Sequence, residues 1–270
     1  SQDHKGAFGG MKQLQGKELS YNNIRDLDVA WKAVSAFNKF VKNAVPVDNN
    51  QGSTTTFASS EGTVFTIALK HNTPCGASLG TNVLDSYTKT YNCDPVSIFG
   101  GIIGCSAIID KAAAEEMSKC FLEVIVAPGF TEEALNVFKT KKNLRLIVAE
   151  IEAKEAWDCM AVDGGLLVQN RDNKLFEKWD VVTNKAPTQD QIDEMAFGMT
   201  VAMFAKSNAI VVVKNRTAIG IGCGQTNRIW AASQALQRAK EVTDAAGETQ
   251  AEVLISDAFF PFADTVEEAA

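Results

Sequence analysis

The sequence has little of what most enzymes recruit for acid–base or metal chemistry, with only two histidines among 270 residues. His4 lies near the start, and His71 directly follows an apolar run. None of the six cysteines, at positions 75, 93, 105, 120, 159 and 223, belongs to a C-x-x-C pair. This argues against a zinc site and against a redox dithiol, and leaves the thiols as small, reduced core residues. Long apolar runs are also missing: a membrane helix needs about 18 such residues, and pieces such as Ala209 to Val213 are far shorter. Ser1-Gln2-Asp3-His4 is no signal peptide, so the chain reads as soluble and cytoplasmic. Positive charge is in deficit, 26 basic against 33 acidic residues for a net charge of -7, which disfavours nucleic acid as a partner. A pocket for one small anion is still allowed, because a few local cations or a helix N-terminus suffice.

What is present is an ordinary globular composition, 46% apolar and 22% charged, in a chain long enough for one large domain or two smaller ones. Ala30, Val34, Phe37 and Val41 recur at helical spacing after Asp26, which reads as an N-cap. From Pro46 to Gly62 the residues are polar and small, predicting a mobile loop. Thr63 to Leu69 is β-branched and apolar, a buried strand that stops at the polar elbow Lys70-His71-Asn72-Thr73-Pro74-Cys75-Gly76. Carboxyl ends of strands are where α/β proteins place chemistry. Helical stretches at Asn82 to Tyr91, Lys111 to Lys119 and Thr131 to Lys139 then alternate with strands at Ile102 to Ile109, Glu123 to Ala127 and Leu144 to Ala149. Signals are weak from Ile151 to Pro187. Thr188 and Gln191 next form a capping box for a helix to about Lys206. Strands at Ala209 to Val213 and Thr217 to Ile221 flank a Lys-Asn-Arg turn, a helix starts near Thr226, and a last strand, Glu252 to Ile255, runs into an aromatic elbow. The expected fold is α/β in two halves, 1–150 and 151–270.

His71 at a strand end is the leading candidate for acid–base work. The adjacent ammonium of Lys70 disfavours a second positive charge, which suits a general base, although a plain surface histidine is the competing reading. Gly220-Ile221-Gly222-Cys223-Gly224-Gln225 fails the dinucleotide fingerprint because Gln225 stands where the third glycine belongs, which weakens a nicotinamide-dependent reading. Its glycines would let backbone approach a planar or anionic ligand ahead of Arg228, or would simply make a turn. Pro74-Cys75-Gly76-Ala77-Ser78 starts like the P-C-x-x-C of zinc deaminases but has Ser78 for the second cysteine and no preceding H-x-E. No G-x-S-x-G occurs.

In order, the elbow 70–76, Asp94-Pro95 ahead of Phe99-Gly100-Gly101, Lys206-Ser207-Asn208-Ala209, Gly220 to Arg228 and Ser256-Asp257-Ala258-Phe259-Phe260-Pro261-Phe262 closely resemble one family. That family is the formyltransferase domain of the bifunctional purine biosynthesis enzymes, and Gln13 to Asn23 and Val162 to Gln169 also fit it. The resemblance implies two repeated three-layer α/β halves like the cytidine deaminase core without its zinc. It also implies a homodimer with active sites at the subunit interface. The implied reaction moves a formyl group from 10-formyltetrahydrofolate, the co-substrate, to the 5-amino group of aminoimidazole carboxamide ribonucleotide (AICAR). No metal is implied, and no residue here identifies a monovalent cation site.

By the same resemblance His71 is the base at the amino nucleophile, Lys70 the cation beside the formyl group, and Asn208 an amide that helps stabilise the oxyanion. Phe99, Gly100 and Phe259 correspond to contacts around the imidazole ring, Glu123 to an acidic contact of AICAR and Lys142 to a basic one. Arg228, Phe262 and Asp264 correspond to folate contacts, with core packing as the competing role of the phenylalanines. Four features depart from the family: the cyclohydrolase part is outside these 270 residues, as are an Arg-Tyr-Gly motif and a Gln-Pro-Gly-Gly stretch, and Ala263 replaces a usual arginine. The sequence therefore leaves open a standalone transferase, a fragment of the bifunctional polypeptide, and a nucleotide-binding module that has lost turnover.

Overall fold

The computed structural model describes residues 6–39, 47–49, 53–55, 62–150, 152–153, 157–171, 174–176, 180–247 and 253–270. The chain begins with α1 (Ala7–Gly10), β1 (Lys12–Gln15), α2 (Tyr21–Phe37), β2 (Val47–Asn49) and β3 (Ser53–Thr55). Next come β4 (Val64–Lys70), β5 (Thr73–Gly80), α3 (Val83–Cys93), β6 (Gly101–Cys105), α4 (Lys111–Met117), β7 (Leu122–Ala127), α5 (Glu132–Phe138) and β8 (Arg145–Val148). The remainder is β9 (Trp157–Val162), β10 (Gly165–Asn170), α6 (Gln189–Ala202), β11 (Ile210–Lys214), β12 (Thr217–Gly222), α7 (Arg228–Ala246), β13 (Val253–Ser256) and α8 (Asp264–Ala269).

Among the described residues, nine strands form one sheet in the order β1-β8-β7-β6-β4-β5-β12-β11-β13, so a single sheet runs through both expected halves. Within it β6, β7 and β8 are parallel, and the other neighbours are antiparallel. Alternation along each strand splits the core between the two faces. Phe65, Ile67 and Leu69 of β4 pack with α2 and α6, where Phe65 stacks on Phe37 at 4.7 Å. Val64 and Ala68 face α3, α4 and α5 instead, and α7 covers Ile210, Val212 and Ile219 beside them. Each large apolar side chain so buried contributes about 1.5–3 kcal/mol.

The succession β4-β5-α3-β6-α4 has the same order as β11-β12-α7-β13-α8, and each follows a capped helix, α2 or α6. Because β5 and β12 pair antiparallel, with Thr217 opposite Ser78, the second succession runs inverted with respect to the first. Glycine lets the covering helices sit close in both. A Cβ at Gly76 or Gly80 would collide with Thr90 or Ser86 of α3, and one at Gly220 or Gly222 with Ala235 or Ala231 of α7. Gly220 and Gly222 are strand residues that make room for a helix, a role the sequence reading did not give them, and Gly224, at φ +69°, is the turn residue.

Further differences have local causes. Asp26 lies inside α2, because Ser20 and Asn23 already form a reciprocal capping box six residues earlier. Beyond Lys70 the chain reverses within two residues into β5, and Pro74, which has no N–H to give, sits beside a β-bulge. The expected loop 46–62 contains the paired β2 and β3, and most of it lies outside the described residues. The weak stretch after Ile151 contains a two-stranded hairpin of β9 and β10, joined through Asp163 and Gly164 and exposed along both strands.

Candidate active site

Strand register gathers the candidate residues along one edge of the sheet. Leu69 pairs with Ile102, Gly101 with Leu122, and Val124 with Arg145, so the end of β4 and the starts of β6, β7 and β8 share that edge. Lys70 and His71, Phe99 and Gly100, Glu123, and Lys142 just ahead of β8 therefore follow one another along it. Across β5 the antiparallel register continues: Ile210 faces Gly222 on one side and Ser256 on the other. Asn208 precedes β11, Arg228 follows β12, and Phe259, Phe262 and Asp264 follow β13 on this same edge. The expectation of carboxyl ends holds for β4, β12 and β13 but not for β6, β7, β8 or β11, because antiparallel pairing brings amino ends to the same edge.

Lys70 pairs with Thr73, and His71 and Asn72 between them have φ of 56° and 61°, a two-residue turn of type I′. Asparagine and histidine both enter this left-handed region more often than most side-chain-bearing residues. The turn is held from α2. The backbone N–H of Asn72 donates to Asp26 Oδ1 at 2.5 Å. With its amide nitrogen toward that helix, the Asn72 side chain donates to the Arg25 carbonyl at 3.2 Å and to Asp26 Oδ1 at 3.1 Å. His71 itself is exposed at the tip.

Lys70 Nζ donates to the Phe99 carbonyl at 2.8 Å. Phe99, 59% exposed, packs on Phe121 at 5.3 Å, and Gly100, at φ 75°, donates its N–H to the Phe121 carbonyl at 2.7 Å. The loop bearing Phe99 is tied down at its start. Asp94 Oδ1 accepts from the N–H groups of Val96 and Ser97 and from Arg238 of α7 at 2.8 Å, while Arg238 Nε donates to the Cys93 carbonyl.

Between turn and helix lies a cavity of about 260 Å³ lined by Lys70, His71, Cys75, Cys93, Asp94 and Cys223, among others. Burial pushes the Cys75 thiol up to about 12, with Asp94 adding to the effect. Burial also pushes Cys93 up to about 12. Neither is a thiolate near neutrality, which disfavours a thioester route through these residues.

The second cluster on this edge centres on Asn208, whose side-chain and backbone N–H groups donate to the Gln225 carbonyl at 2.9 and 3.1 Å. Arg228 donates to Ser256 Oγ at 2.7 Å and pairs with Asp257, which also accepts from the Ala209 N–H at 3.1 Å. Burial favours the neutral acid at Asp257, but hydrogen bonds from Ser207, Arg228 and Ala209 outweigh it and hold the carboxyl below the usual aspartate value. Glu123 accepts from Asn23 Nδ2 at 2.7 Å, which ties it to the first turn of α2. Lys142, Phe259, Phe262 and Asp264 are exposed, and Asp264 Oδ1 accepts from the Thr265 N–H.

Sequence reasoning missed Asn23, Gln225 and Arg238, and it gave Asp26 a capping role. Asn23, Gln225, Asp94 and Asp257 all lie inside the quoted motifs, which marked their positions but not their partners, and Arg238 lies outside every motif. Among the described residues, no cluster of three or more His, Cys, Asp or Glu could hold a metal, and no helix is long and apolar enough to cross a membrane.

Residues 1–238 match the family described as the AICARFT/IMPCHase bienzyme. The chain is 50% identical over 264 residues to the bifunctional purine biosynthesis protein PurH of Clostridium acetobutylicum, covering 98% of this chain and 46% of that protein. It is 50% identical over 259 residues to the protein of the same name from Clostridium botulinum strain Kyoto, covering 96% and 45%. The chain thus spans about half the length of the curated relatives it matches. A match over most of the chain, together with identity at this level, makes it a member of the AICARFT/IMPCHase bienzyme family.

Proposed function

We propose that this chain, in the cytoplasm, transfers a formyl group from 10-formyltetrahydrofolate to the 5-amino group of AICAR, giving formyl-AICAR and tetrahydrofolate. The observation that carries the reading is the Lys70–His71 turn, set beside the Phe99–Gly100 loop on the sheet edge that also bears Asn208, in a member of this family.

The reaction needs a base and an oxyanion partner. An aromatic amine conjugated with a carboxamide is a weak nucleophile, so His71 takes a proton from it as the amine nitrogen bonds to the formyl carbon. The electron pair displaced onto the formyl oxygen is stabilised by the Lys70 ammonium and the Asn208 amide. Collapse of the tetrahedral adduct breaks the bond to folate N10, which leaves with a proton as tetrahydrofolate. One of the three Lys70 N–H donors is directed at the Phe99 carbonyl, which orients the ammonium.

Glu123 and Lys142 are assigned to AICAR, Phe99, Gly100 and Phe259 to its ring, and Arg228, Phe262 and Asp264 to folate. For Arg228 the pairing with Asp257 favours a role as a fixed support of that subsite. The same proposal takes 1–150 and 151–270 as two repeats of one three-layer unit of the cytidine deaminase type. It also includes a homodimer. A lone two-stranded hairpin is marginal in water, yet β9 and β10 expose Trp157, Met160, Leu166 and Leu167, four side chains that a second copy would cover.

The test follows tetrahydrofolate formation by ultraviolet absorbance with AICAR and 10-formyltetrahydrofolate, with His71→Ala alongside. An AICAR-dependent signal that the variant lacks supports the reading. A folded protein that binds AICAR without turnover refutes it.

A further inference from the structure

We propose that Asp26 is a positioning residue for His71, holding the imidazole in place through the backbone of the turn; this rests on the formyltransferase reading above. The N–H that donates to Asp26 at 2.5 Å belongs to the peptide joining His71 to Asn72. Fixing that peptide plane fixes the His71 ψ angle, and with it the direction of the Cβ bond. The Asn72 amide lies on the same carboxylate and on the Arg25 carbonyl, so both polar groups of the second turn residue are tied to α2. His71, one position earlier, stays exposed at the tip. A type I′ turn without glycine holds two side-chain-bearing residues at positive φ, a conformation that persists where its surroundings fix it, and the clamp is such a constraint.

The second half carries an independent parallel. Asn215 and Arg216 form the same turn between β11 and β12, with φ of 49° and 52°. The Arg216 N–H donates to Glu194 of α6 at 2.8 and 2.9 Å. Glu194 lies six residues after the N-cap Thr188, as Asp26 lies six residues after the N-cap Ser20. A helix carboxylate gripping the second residue of the turn is therefore a device of this fold, and in the first half the residue it leaves at the tip is the proposed base.

The experiment compares Asp26→Ala, which removes the acceptor, with Asp26→Asn, which keeps an oxygen there but loses the charge. Two readouts are taken on the whole chain: steady-state kinetics with AICAR, and the 13Cε1 resonance of His71. The second is practical because the only other histidine is His4, identified by His4→Ala. Asp26→Ala should lower kcat about 10- to 100-fold with the AICAR KM changed by less than about twofold, the pattern of misplaced chemistry with binding intact. It should also shift the His71 resonance and leave that of His4 unmoved. Asp26→Asn should restore both readouts to near wild type. Asp26→Ser, whose hydroxyl stops short of the turn, replaces the alanine variant if that one does not fold. Unchanged kcat with an unmoved His71 resonance overturns the proposal, as does an asparagine variant as damaged as the alanine one, which would place the effect in charge. If the wild-type chain forms no formyl-AICAR, the formyltransferase reading falls and the resonance alone decides whether Asp26 orients His71.

Discussion

Two hairpin turns of this molecule, those joining β4 to β5 and β11 to β12, share a backbone and differ in what they do with it. Lys70-His71-Asn72-Thr73 and Lys214-Asn215-Arg216-Thr217 each place two non-glycine residues at positive φ, each gripped by a carboxylate from the preceding helix. Inversion of the halves sends them to opposite edges of the sheet. In the second turn Arg216 folds back onto Asp190, Asp193 and the buried Glu194, so polar capacity is spent inside the protein. In the first, Asn72 satisfies the clamp, His71 is left at the tip, and Lys70 reaches across to the Phe99 carbonyl. One device thus yields a staple where the gripped residue is Arg216 and a candidate reaction centre where it is Asn72 and the exposed tip residue is His71; Asn215, the counterpart of His71, is exposed as well.

The sharpest break of that comparison comes from deleting the side chain each turn uses, His71 in the first and Arg216 in the second. His71→Ala should lower kcat by about 10²–10⁴-fold, the usual contribution of a general base, with the melting temperature unchanged. A comparable loss in AICAR affinity would contradict the assignment. Arg216→Ala should do the reverse. It leaves the Glu194 carboxylate, whose side chain is 1% exposed, without its guanidinium partner but with the backbone N–H of residue 216 still donating to it, at a cost of about 3 kcal/mol by chemical denaturation. Activity per folded molecule should persist, and a kcat loss in fully folded Arg216→Ala would erase the division of labour.

Smaller in effect is the close approach of α7 to β12. Gly222→Ala pushes a methyl group into the Ala231 carbonyl and should cost about 1–3 kcal/mol, since the helix must move away from the strand. A neutral result would mean that α7 shifts freely, and then Arg238 could not hold Asp94 and the Phe99 loop as described.

Much of the sheet was legible because β-branched runs such as those in β4, β7 and β11 cannot be mistaken for amphipathic helices. The Thr188 capping box was legible for the same local reason, and the structure contains it. Helix α2 began earlier than expected because its box uses Asn23 in place of Glu or Gln, and the misread cap concealed what Asp26 binds. Strand β5 was hidden by Pro74 and Gly76, residues of low strand propensity, and α3 needs that glycine. The β9–β10 hairpin did leave a trace, Asp163-Gly164 between two apolar runs, but both faces being apolar removed the alternation that marks a strand. Lys70, His71 and Asn208 were readable as motifs. Their common edge was not, because it comes from strand direction and register, which no local window contains.

The smallest predicted effect concerns acid. Asp257 is held below the ordinary aspartate value by donors on the edge that carries Asn208, so its ionised form is bound more tightly in the folded state. Its contribution to stability is therefore complete above the unfolded aspartate value and disappears as pH falls through the lower folded value. Unfolding free energy measured below about pH 4 should decline with acid more steeply in the wild type than in Asp257→Asn, where no proton binds at that position. The variant is expected to be less stable at neutral pH, because Arg228 loses its partner, yet flatter in its acid response. Equal slopes would mean that Arg228 and Ser207 are too loosely held to distinguish the two protonation states. The Asn208 edge would then be a mobile surface, and the contrast with the stapled turn at Arg216 would rest on rigidity alone.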